Sequence, residues 1–396
     1  MLSFEEARAR LLGACAVLES ERVPLAEAVG RVLAEDLRTQ NPLPPYDHSA
    51  MDGYALRFAD LASEPPYELP VIGESRAGDA FSQHVPGSAC RIFTGAPLPA
   101  GADTVVIQEN VVRTADRIRL SARPGPNENV RRAGEDLAAG AVALSAGTRL
   151  GPFQLGLAAA LDRDSVLVRR QPRVVVLPTG SELRPAGSPG PAGTIPESNG
   201  VVIAALATRA GARATLEAAI PDAMETAAER FRRALDHCDV LVTVGGASVG
   251  DHDVVRPALE SSGVAIEFWK VAIQPGKPFA FGRRNQTLVL GLPGNPVSAQ
   301  VTFALFGMPV LRALQGDAAP LPPLVRVVLA EPIRRKPGRL GILRARLVEG
   351  RAHLAANQAS GATTSLAAND VLVLAPADRS ELPAGTELGA IRLSDL

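Results

Sequence analysis

The sequence predicts a multidomain protein built around a mostly parallel α/β sheet, with a β-rich domain and an all-β C-terminal domain. Three observations support this fold class. At 396 residues, the chain exceeds the size of one average domain. From residue 173 onward, β-branched apolar runs alternate with helix-like segments, the succession expected of a parallel sheet covered on both faces. Two proline-rich stretches, 41–46 and 315–324, cannot be helical, and we interpret them as linkers.

The N-terminal part is predicted to contain short helices and then a β-rich domain. Ser3 and Glu6 form a capping box, which predicts a first helix directly after Ser3. A second short helix is expected over 25–36. Residues 46–140 carry short apolar runs separated by glycine and proline, the rhythm of a small β-rich domain. A return to helix is expected over 150–160.

The α/β region is predicted to alternate strands with helices. Strands are expected over 174–177, 215–220, 240–244, 265–271 and 288–290. Helices are expected over 200–209, 222–236, 253–261 and 296–314. Asp222 and Glu225 would cap the second of these helices, and Asn295 and Pro296 suit the start of the last. Beyond the second linker, an all-β domain is expected from the apolar runs 325–329, 354–357, 371–374 and 388–393.

Composition excludes several functional classes. The formal net charge is −1, without the basic excess of a general nucleic-acid binder. The three cysteines lie far apart in the chain and form neither a disulfide framework nor a metal-binding spacing, which suits a reducing cytosol. The first residues lack the pattern of a secretory signal, and no apolar run is expected to reach the length of a membrane span. We therefore expect a cytoplasmic protein.

Three glycine-rich loops that follow predicted strands are candidates for ligand binding. They span 178–182, 245–253 and 291–298. The second carries Ser248 and two carboxylates, Asp251 and Asp253, whose oxygens suit a hard cation. Lys277, in the proline-stiffened turn 274–278, can meet an oxyanion. Each loop alone is compatible with an ordinary tight turn, and none is a P-loop or a dinucleotide fingerprint. Together, at the strand ends of one sheet, they favour an anion-binding pocket.

A second set of polar motifs lies in the β-rich region, at 49–55, 93–97 and 129–136. Taken alone, Asp52 is more often a turn aspartate than a catalytic one. On composition alone, the charges between 131 and 136 are more typical of a solvated ion cluster. The five histidines form no ligand set, and no Ser-His-Asp or Cys-His arrangement is evident. Proton transfer or metal binding would therefore fall to carboxylates.

The order of these motifs resembles the molybdopterin molybdenumtransferase family, MoeA, to which the E domain of gephyrin is related. In chain order the motifs are Ser-Ala-Met-Asp-Gly-Tyr-Ala (49–55), Phe-Thr-Gly-Ala-Pro (93–97), Arg-Arg-Ala-Gly-Glu-Asp (131–136), Thr-Gly-Ser-Glu-Leu (179–183), Gly-Gly-Ala-Ser-Val-Gly-Asp-His-Asp (245–253), Pro-Gly-Lys-Pro-Phe-Ala-Phe-Gly (275–282) and Gly-Leu-Pro-Gly-Asn-Pro-Val-Ser-Ala (291–299). The resemblance runs from the first helix to the C-terminus.

The resemblance implies an elongated subunit of four domains. A linking domain would comprise 20–40 with 141–168, and a β-rich inserted domain 41–140. A molybdopterin-binding α/β domain, similar to the adenylyltransferase MogA, would comprise 1–19 with 169–318. Residues 319–396 would form a β-barrel-like domain.

The resemblance also implies an activity. Members insert molybdate into the dithiolene of adenylylated molybdopterin, with Mg²⁺ present and AMP released. They act as homodimers in which each site combines the α/β domain of one subunit with the β-rich domain of the other. The molybdopterin adenylyltransferase would be a partner one step earlier, and neither nucleic acid nor membrane is expected.

Carried onto this chain, the family motifs imply three groups of site residues. The catalytic residues would be Asp52, Asp136, Glu182, Asp253 and Lys277. The metal ligands would be Asp222 and Asp253, although helix capping explains Asp222 equally well. Substrate binding would involve Thr94, Gly95, Arg131, Arg132, Thr179, Gly180, Asn199, Gly245, Gly246, Ser248, Pro275, Gly276, Gly294, Asn295, Ser298, Arg339, Arg344 and Ser360.

Two positions depart from the family pattern. Many members have a lysine where this chain has Gln274, so we expect oxyanion binding to depend more heavily on Lys277. Members also often carry an acid where this chain has Gly341. Two alternative functions remain open: adenylyl transfer from ATP by the α/β domain, and a non-catalytic pterin-binding scaffold. The preference between molybdate and tungstate also stays open, because both are tetrahedral dianions.

Overall fold

The computed structural model of the chain describes residues 1–61, 64–246 and 254–396. Their contacts divide the chain into two compact units. The first comprises Met1–Glu35, Ala146–Gly151 and Ser165–Leu396, and the second comprises Asp36–Ser145 and Pro152–Asp164.

A six-stranded sheet forms the centre of the first unit. In spatial order its strands are Arg213–Leu216, Arg173–Pro178, Val240–Val244, Thr287–Leu292, Pro278–Arg284 and Ala265–Lys270. The first four strands pair in parallel, which confirms the predicted α/β class. Pro278–Arg284 pairs antiparallel with Thr287–Leu292, and Ala265–Lys270 pairs antiparallel with Pro278–Arg284. The connection between Pro278–Arg284 and Thr287–Leu292 is a two-residue turn, and so short a turn can join only antiparallel neighbours.

Helices cover this sheet, and two of the sequence expectations about them differ from the structure. The α-helices of the first unit are Phe4–Gly13, Asn199–Arg209, Met224–Leu235, Val255–Ser261, Pro296–Thr302, Met308–Leu314 and Thr364–Ala367. The capping box at the first helix is confirmed, because the Ser3 hydroxyl accepts from the Glu6 N–H and the Glu6 carboxylate accepts from the Ser3 N–H. The helix expected over 25–36 is wrong. Only a 3₁₀ turn, Leu25–Glu27, forms there, because Val32 and Leu33 are engaged in β-bridges.

The predicted capping role of Asp222 is also wrong. The helix begins at Met224, and its N-cap residue, Ala223, makes no side-chain capping bond. The Asp222 carboxylate instead accepts a hydrogen bond from the Ser181 N–H at 3.0 Å, and the Asp222 N–H donates to the Ser181 hydroxyl at 3.0 Å. Asp222 is therefore tied to the loop that follows strand Arg173–Pro178.

The last helix of the α/β region, Pro296–Leu314, is the central core element. It starts where the sequence predicts, with Asn295 at the N-cap and Pro296 as its first residue, and a π-helical turn at Phe303–Gly307 interrupts it. Contrary to expectation, this segment is long and apolar enough to cross a membrane, but 89% of its 18-residue apolar window is buried within the fold. Its apolar composition is thus explained by core packing.

The C-terminal part of the first unit forms a closed β-barrel. Around the barrel its strands are Leu340–Val348, Arg351–Leu354, Val325–Leu329, Glu387–Arg392 and Val371–Ala375, and the last pairs again with the first. A short strand, Ile273–Gln274, adds in parallel to Leu340–Val348. The expectation of a strand at 354–357 is wrong. Sequence reasoning also missed Leu340–Val348, because Arg344 and Arg346 interrupt its apolar pattern.

The second unit contains the predicted β-rich sheet. In spatial order its strands are Thr104–Ile107, Gly53–Leu56, Ala89–Ile92, Tyr67–Ser75, Arg117–Leu120 and Val111–Thr114. The unit also holds helix Pro152–Ala160, close to the predicted 150–160.

Two-stranded pairs in both units complete the fold. They are Ser20–Pro24 with Ser165–Arg169, Leu37–Arg38 with Val142–Leu144, His48–Ser49 with Val130–Arg131, Leu183–Arg184 with Ile195–Pro196, and Ile333–Arg334 with Glu381–Leu382.

The cysteines do not form disulfides. Cys90 and Cys238 are buried, and Cys15 is half-buried. Burial raises the pKa of Cys15 and of Cys238 to about 12, so both stay as thiols at neutral pH. Cys15 and Cys238 therefore behave as small apolar residues rather than as nucleophiles.

Candidate active site

Three loops meet at one edge of the α/β sheet because three parallel strands end there. The Thr179 N–H donates to the Val244 carbonyl at 2.8 Å, and the Gly245 N–H donates to the Leu292 carbonyl at 3.1 Å. Gly245 has φ +102°, and a Cβ at this position would collide with the Thr179 carbonyl oxygen. Only glycine therefore allows these loops to approach so closely.

Asn199, at the start of its helix, ties the third loop to this group. Its Nδ2 donates to the Gly294 carbonyl at 2.8 Å. Its Oδ1 is buried and has no hydrogen-bond partner among the described residues. Such an orphaned acceptor is unfavourable unless a donor reaches it. Asn199 thus has a binding capacity that the fold itself does not use.

An acidic cavity of about 220 Å³ lies among these loops. Its lining carboxylates are Glu182, Glu197 and Asp222, and no lysine or arginine lines it in the described part of the chain. The Glu197 carboxylate accepts from the Gly200 N–H at 2.7 Å. The cavity also brings together predicted binding residues from separate motifs: Thr179, Gly180, Asn199, Gly245, Gly246 and Gly294.

The acidic cavity offers carboxylate oxygens for a cation but no complete ligand set. Among the residues that the structure describes, no group of three or more histidine, cysteine, aspartate or glutamate side chains is arranged to hold a metal. Mg²⁺ is usually bound through one or two carboxylates plus substrate phosphates, so Glu182 and Asp222 fit such a role. The predicted residues Ser248, Asp251 and Asp253 lie outside the described residues.

A second, cationic cavity of about 390 Å³ lies between the α/β sheet and the barrel. Its lining cations are Lys277, Arg335, Arg339 and Arg344, and no carboxylate lines it among the described residues. It also contains other predicted binding residues: Pro275, Gly276, Asn295, Ser298 and Ser360. The turn Gly294-Asn295-Pro296 separates the two cavities, because Asn295 lines this one while Gly294 and Pro296 line the acidic one.

Arg344 is fully buried in the wall of the cationic cavity, with 1% of its surface exposed. Its guanidinium donates to the Ser365 hydroxyl at 3.1 Å and to the Ala359 carbonyl at 3.2 Å, so its partners are neutral. Burial accordingly lowers the pKa of Arg344. None of the four cavity cations forms an ion pair with a described carboxylate. The cavity therefore carries uncompensated positive charge, which favours an anion.

Two charged residues of these cavities were missed by sequence reasoning. Glu197 lies outside the recognised motifs. Arg335 belongs to an Arg-Arg-Lys run, 334–336, which by pattern alone indicates a solvated surface. The run gave no signal that Arg335 turns toward a cavity, because that depends on the unpredicted strand Leu340–Val348.

In the second unit, the predicted motifs are joined by backbone hydrogen bonds. The Gly95 N–H donates to the Ser49 carbonyl at 2.8 Å, and the Ala50 N–H donates to the Asn129 carbonyl at 2.9 Å. Asp52 accepts from both the N–H and the hydroxyl of Thr94. These bonds, first from the Thr94 N–H and then from its hydroxyl, lower the pKa of Asp52.

The charged residues of the third motif pair with one another and with Asp47. Arg131 forms ion pairs with Asp136 and with Glu135, the latter at 3.4 Å. These carboxylates, Asp136 first, raise the pKa of Arg131. Arg132 pairs with Asp47 at 2.5 Å. The ion cluster considered from the sequence is therefore present, and a ligand would have to compete with these partners.

Comparisons with known proteins agree with this architecture. Three family regions match in order: the MoeA N-terminal region, domains I and II, over 2–161; a probable molybdopterin-binding domain over 175–313; and the MoeA C-terminal region, domain IV, over 326–393. The crystal structure of the molybdopterin biosynthesis MoeA protein from Pyrococcus horikoshii OT3 superposes with a TM-score of 0.88. It is 31% identical, and the match covers 99% of this chain and 100% of that one.

Curated relatives lead to the same family. The molybdopterin molybdenumtransferase of Haemophilus influenzae is 39% identical over 87% of this chain and 85% of its own. That of Synechococcus elongatus is 38% identical over 98% of both chains. The resemblance inferred from the seven motifs is thereby confirmed, and this chain belongs to the MoeA family of molybdopterin molybdenumtransferases.

Proposed function

We propose that this protein inserts molybdenum, delivered as molybdate, into adenylylated molybdopterin, with Mg²⁺-dependent release of AMP. Its family makes it a transferase of molybdenum cofactor biosynthesis. The proposed insertion of molybdate with release of AMP is supported by two neighbouring cavities of opposite charge, which the turn at Asn295 separates. One suits a free oxyanion, and the other suits a cation together with a phosphorylated ligand.

The cationic cavity is the proposed molybdate site. Molybdate is a tetrahedral dianion and needs positive charge and hydrogen-bond donors. Lys277 and Arg339 supply charge, and the hydroxyls of Ser298 and Ser360 can donate. The Ser360 carbonyl accepts from the Val297 N–H at 2.9 Å, which fixes the barrel loop against the start of the core helix. The donors thus come from both sides of the cavity.

The acidic cavity is the proposed site for the phosphoanhydride of the substrate. Three carboxylates would repel phosphate groups, so the two fit together only with a cation between them. When bound at Glu182 and Asp222, Mg²⁺ would neutralise negative charge on the phosphoanhydride. The orphaned Oδ1 of Asn199 would accept a hydrogen bond from the ligand.

The proposed reaction balances without a redox step. Two dithiolene sulfurs replace two of the four oxygens of molybdate. These oxygens leave as water after taking up protons from the dithiol and the solvent. A water molecule cleaves the phosphoanhydride, so AMP leaves and the terminal phosphate stays on the cofactor. The substrate would come from an enzyme that adenylylates molybdopterin, in the same cytoplasmic compartment.

We further propose that the protein works as a homodimer in which a second copy completes each site. The residues that it would supply are Asp52, Thr94 and Asp136. Asp52 is held as a carboxylate by Thr94, as a group that orients water or the substrate would need to be. Arg131 and Arg132 would stabilise the conformation of this motif through their ion pairs.

Release of AMP from adenylylated molybdopterin, with Mg²⁺ and molybdate present, tests the proposal. Lys277→Met should raise the KM for molybdate about tenfold or more because it removes a cavity cation. Lys270→Met is the matched control, since Lys270 is exposed and lines neither cavity. Absence of AMP at saturating molybdate would reject the proposal. ATP consumption with molybdopterin alone would instead support adenylyl transfer.

A further inference from the structure

Arg335 occupies a specific place in the wall of the cationic cavity. Its Nη1 donates to the Pro376 carbonyl at 2.6 Å, and its Nη2 donates to the Arg339 carbonyl. These bonds anchor the far end of the guanidinium to the backbone. Burial, and then the charge of Arg339, lower the pKa of Arg335, which forms no ion pair with any carboxylate in the described part of the chain.

The Nε edge of Arg335 lies against Gly341. A Cβ built on Gly341 would lie 3.0 Å from Nε and 3.2 Å from Cζ of Arg335. The guanidinium therefore uses the space that a side chain at 341 would need. Because Gly341 lines the cavity as well, this contact brings the charge of Arg335 to the cavity wall.

Position 274 is coupled to this arrangement through the backbone. Gln274 is the register partner of Gly341 in the parallel pairing of Ile273–Gln274 with Leu340–Val348. Both residues line the cavity, and both are uncharged. The two adjacent wall positions therefore contribute no charge of their own, and Arg335, which lies against Gly341, brings a positive charge to this part of the wall.

We propose that Arg335 is an anion-binding residue that sets the selectivity of this cavity for doubly charged tetrahedral oxyanions, and that Gly341 provides the space for it. The inference rests on the proposed function, since molybdate is the substrate anion. It adds a second cation to the expectation that oxyanion binding depends more heavily on Lys277. A carboxylate at 341 would neutralise Arg335, and a larger neutral side chain would displace it.

Isothermal titration of the full-length protein with molybdate and with perrhenate tests this role. Perrhenate is tetrahedral and of similar size but carries one charge, and Coulomb energy scales with ligand charge. Arg335→Gln should weaken molybdate binding about tenfold and perrhenate binding only about threefold. A purely structural role would weaken both equally. Arg335→Lys, which keeps the charge, should retain most of the difference between the two anions.

The control is Arg334→Gln. Arg334 is 86% exposed, pairs with Glu381 at 3.3 Å, and does not line the cavity. Arg334→Gln should leave the affinities for molybdate and for perrhenate unchanged. A second pair of variants avoids altering Arg335 itself: Gly341→Asp and Gly341→Asn have nearly the same shape, so any difference between them reports charge. Gly341→Asp should bind molybdate more weakly than Gly341→Asn.

The outcomes distinguish failure of the proposed function from failure of the role proposed for Arg335. If the wild-type protein binds no molybdate, the proposed function fails and this inference fails with it. If the wild type binds molybdate and Arg335→Gln binds both anions as the wild type does, only the inference is overturned. Equal weakening of molybdate and perrhenate also overturns it, since Arg335 would then only support the fold.

Discussion

Asp52 accepts two hydrogen bonds from Thr94, one from the backbone N–H and one from the hydroxyl, each 2.8 Å long. The two residues are 42 positions apart and belong to different sequence motifs. Both bonds favour the ionised carboxylate, so the pKa of Asp52 lies below its usual value. Asp52 is therefore charged and held in one orientation at neutral pH.

Thr94→Val removes the hydroxyl bond and keeps the shape and the N–H bond. Because that bond lowers the pKa of Asp52, its loss moves the pKa upward, toward the usual range. The acidic limb of the kcat profile should shift to higher pH, and kcat at neutral pH should fall about tenfold through looser positioning. Thr94→Ser should keep the wild-type limb. A profile unchanged in Thr94→Val would contradict a role for ionised Asp52.

The meeting of the three α/β loops could be predicted from sequence because parallel strands end at one edge of a sheet. The strand Val240–Val244 was predicted with its observed bounds, since its apolar run ends sharply at Gly245. The division into two cavities could not be predicted. The division depends on how the turn at Asn295 is oriented toward the barrel. It also depends on the strand Leu340–Val348 in the cavity wall, which carries buried Arg344 in place of an apolar residue. A buried arginine satisfied by carbonyls has no local sequence signal.

Asp222 tests the cation requirement of the acidic cavity. Its carboxylate accepts from the Ser181 N–H, and the oxygen of an asparagine can keep that bond. Asp222→Asn therefore removes one negative charge with little change in shape. The Mg²⁺ concentration for half-maximal AMP release should rise about tenfold, because cation affinity depends on ligand charge. Glu225→Gln, an exposed acid in the next helix, is the control. Identical Mg²⁺ curves for Asp222→Asn and the wild type would argue against this metal site.

Asp239 lies just before strand Val240–Val244, at the end of the parallel strands opposite the candidate site, and it gives a prediction about stability. It accepts hydrogen bonds from Arg170 at 2.6 Å and from the Arg173 N–H at 2.7 Å. Burial raises its pKa, but the bonds from Arg170 and Arg173 outweigh burial and bring the pKa of Asp239 to about 2. Its usual value is 3.8, so the unfolded chain binds the proton more tightly. The stabilisation is therefore present above pH 3.8 and is lost as the pH falls toward 2.

Asp239→Asn should lower the free energy of unfolding by about 1–2 kcal/mol at neutral pH. The difference from the wild type should shrink between about pH 4 and pH 2, where the wild-type carboxylate also becomes neutral. Urea unfolding at a series of pH values measures this. Asp236→Asn, which removes an exposed partner of Arg284, should change stability little. A difference for Asp239→Asn that stays constant down to pH 2 would show that charge is not its cause.

Mixing two inactive variants tests whether each site is completed by a second copy. Asp52→Ala disables the half of the site that we assign to the β-rich unit. Lys277→Glu disables the cationic cavity. If the halves come from different copies, a mixed dimer has one intact site and one doubly altered site. Random mixing of equal amounts makes about half of the dimers mixed, so about one quarter of wild-type activity should return.

The control for this experiment combines two variants of the same half, Asp52→Ala and Asp136→Ala. Every site then keeps one alteration in its β-rich half, so no activity should return. Light scattering of the mixture verifies that dimers form, and native mass spectrometry with one variant labelled with ¹⁵N verifies that subunits have exchanged. If exchanged dimers of Asp52→Ala and Lys277→Glu stay inactive, each site must lie within one chain. In that case Asp52 would have to reach the cavities of its own subunit.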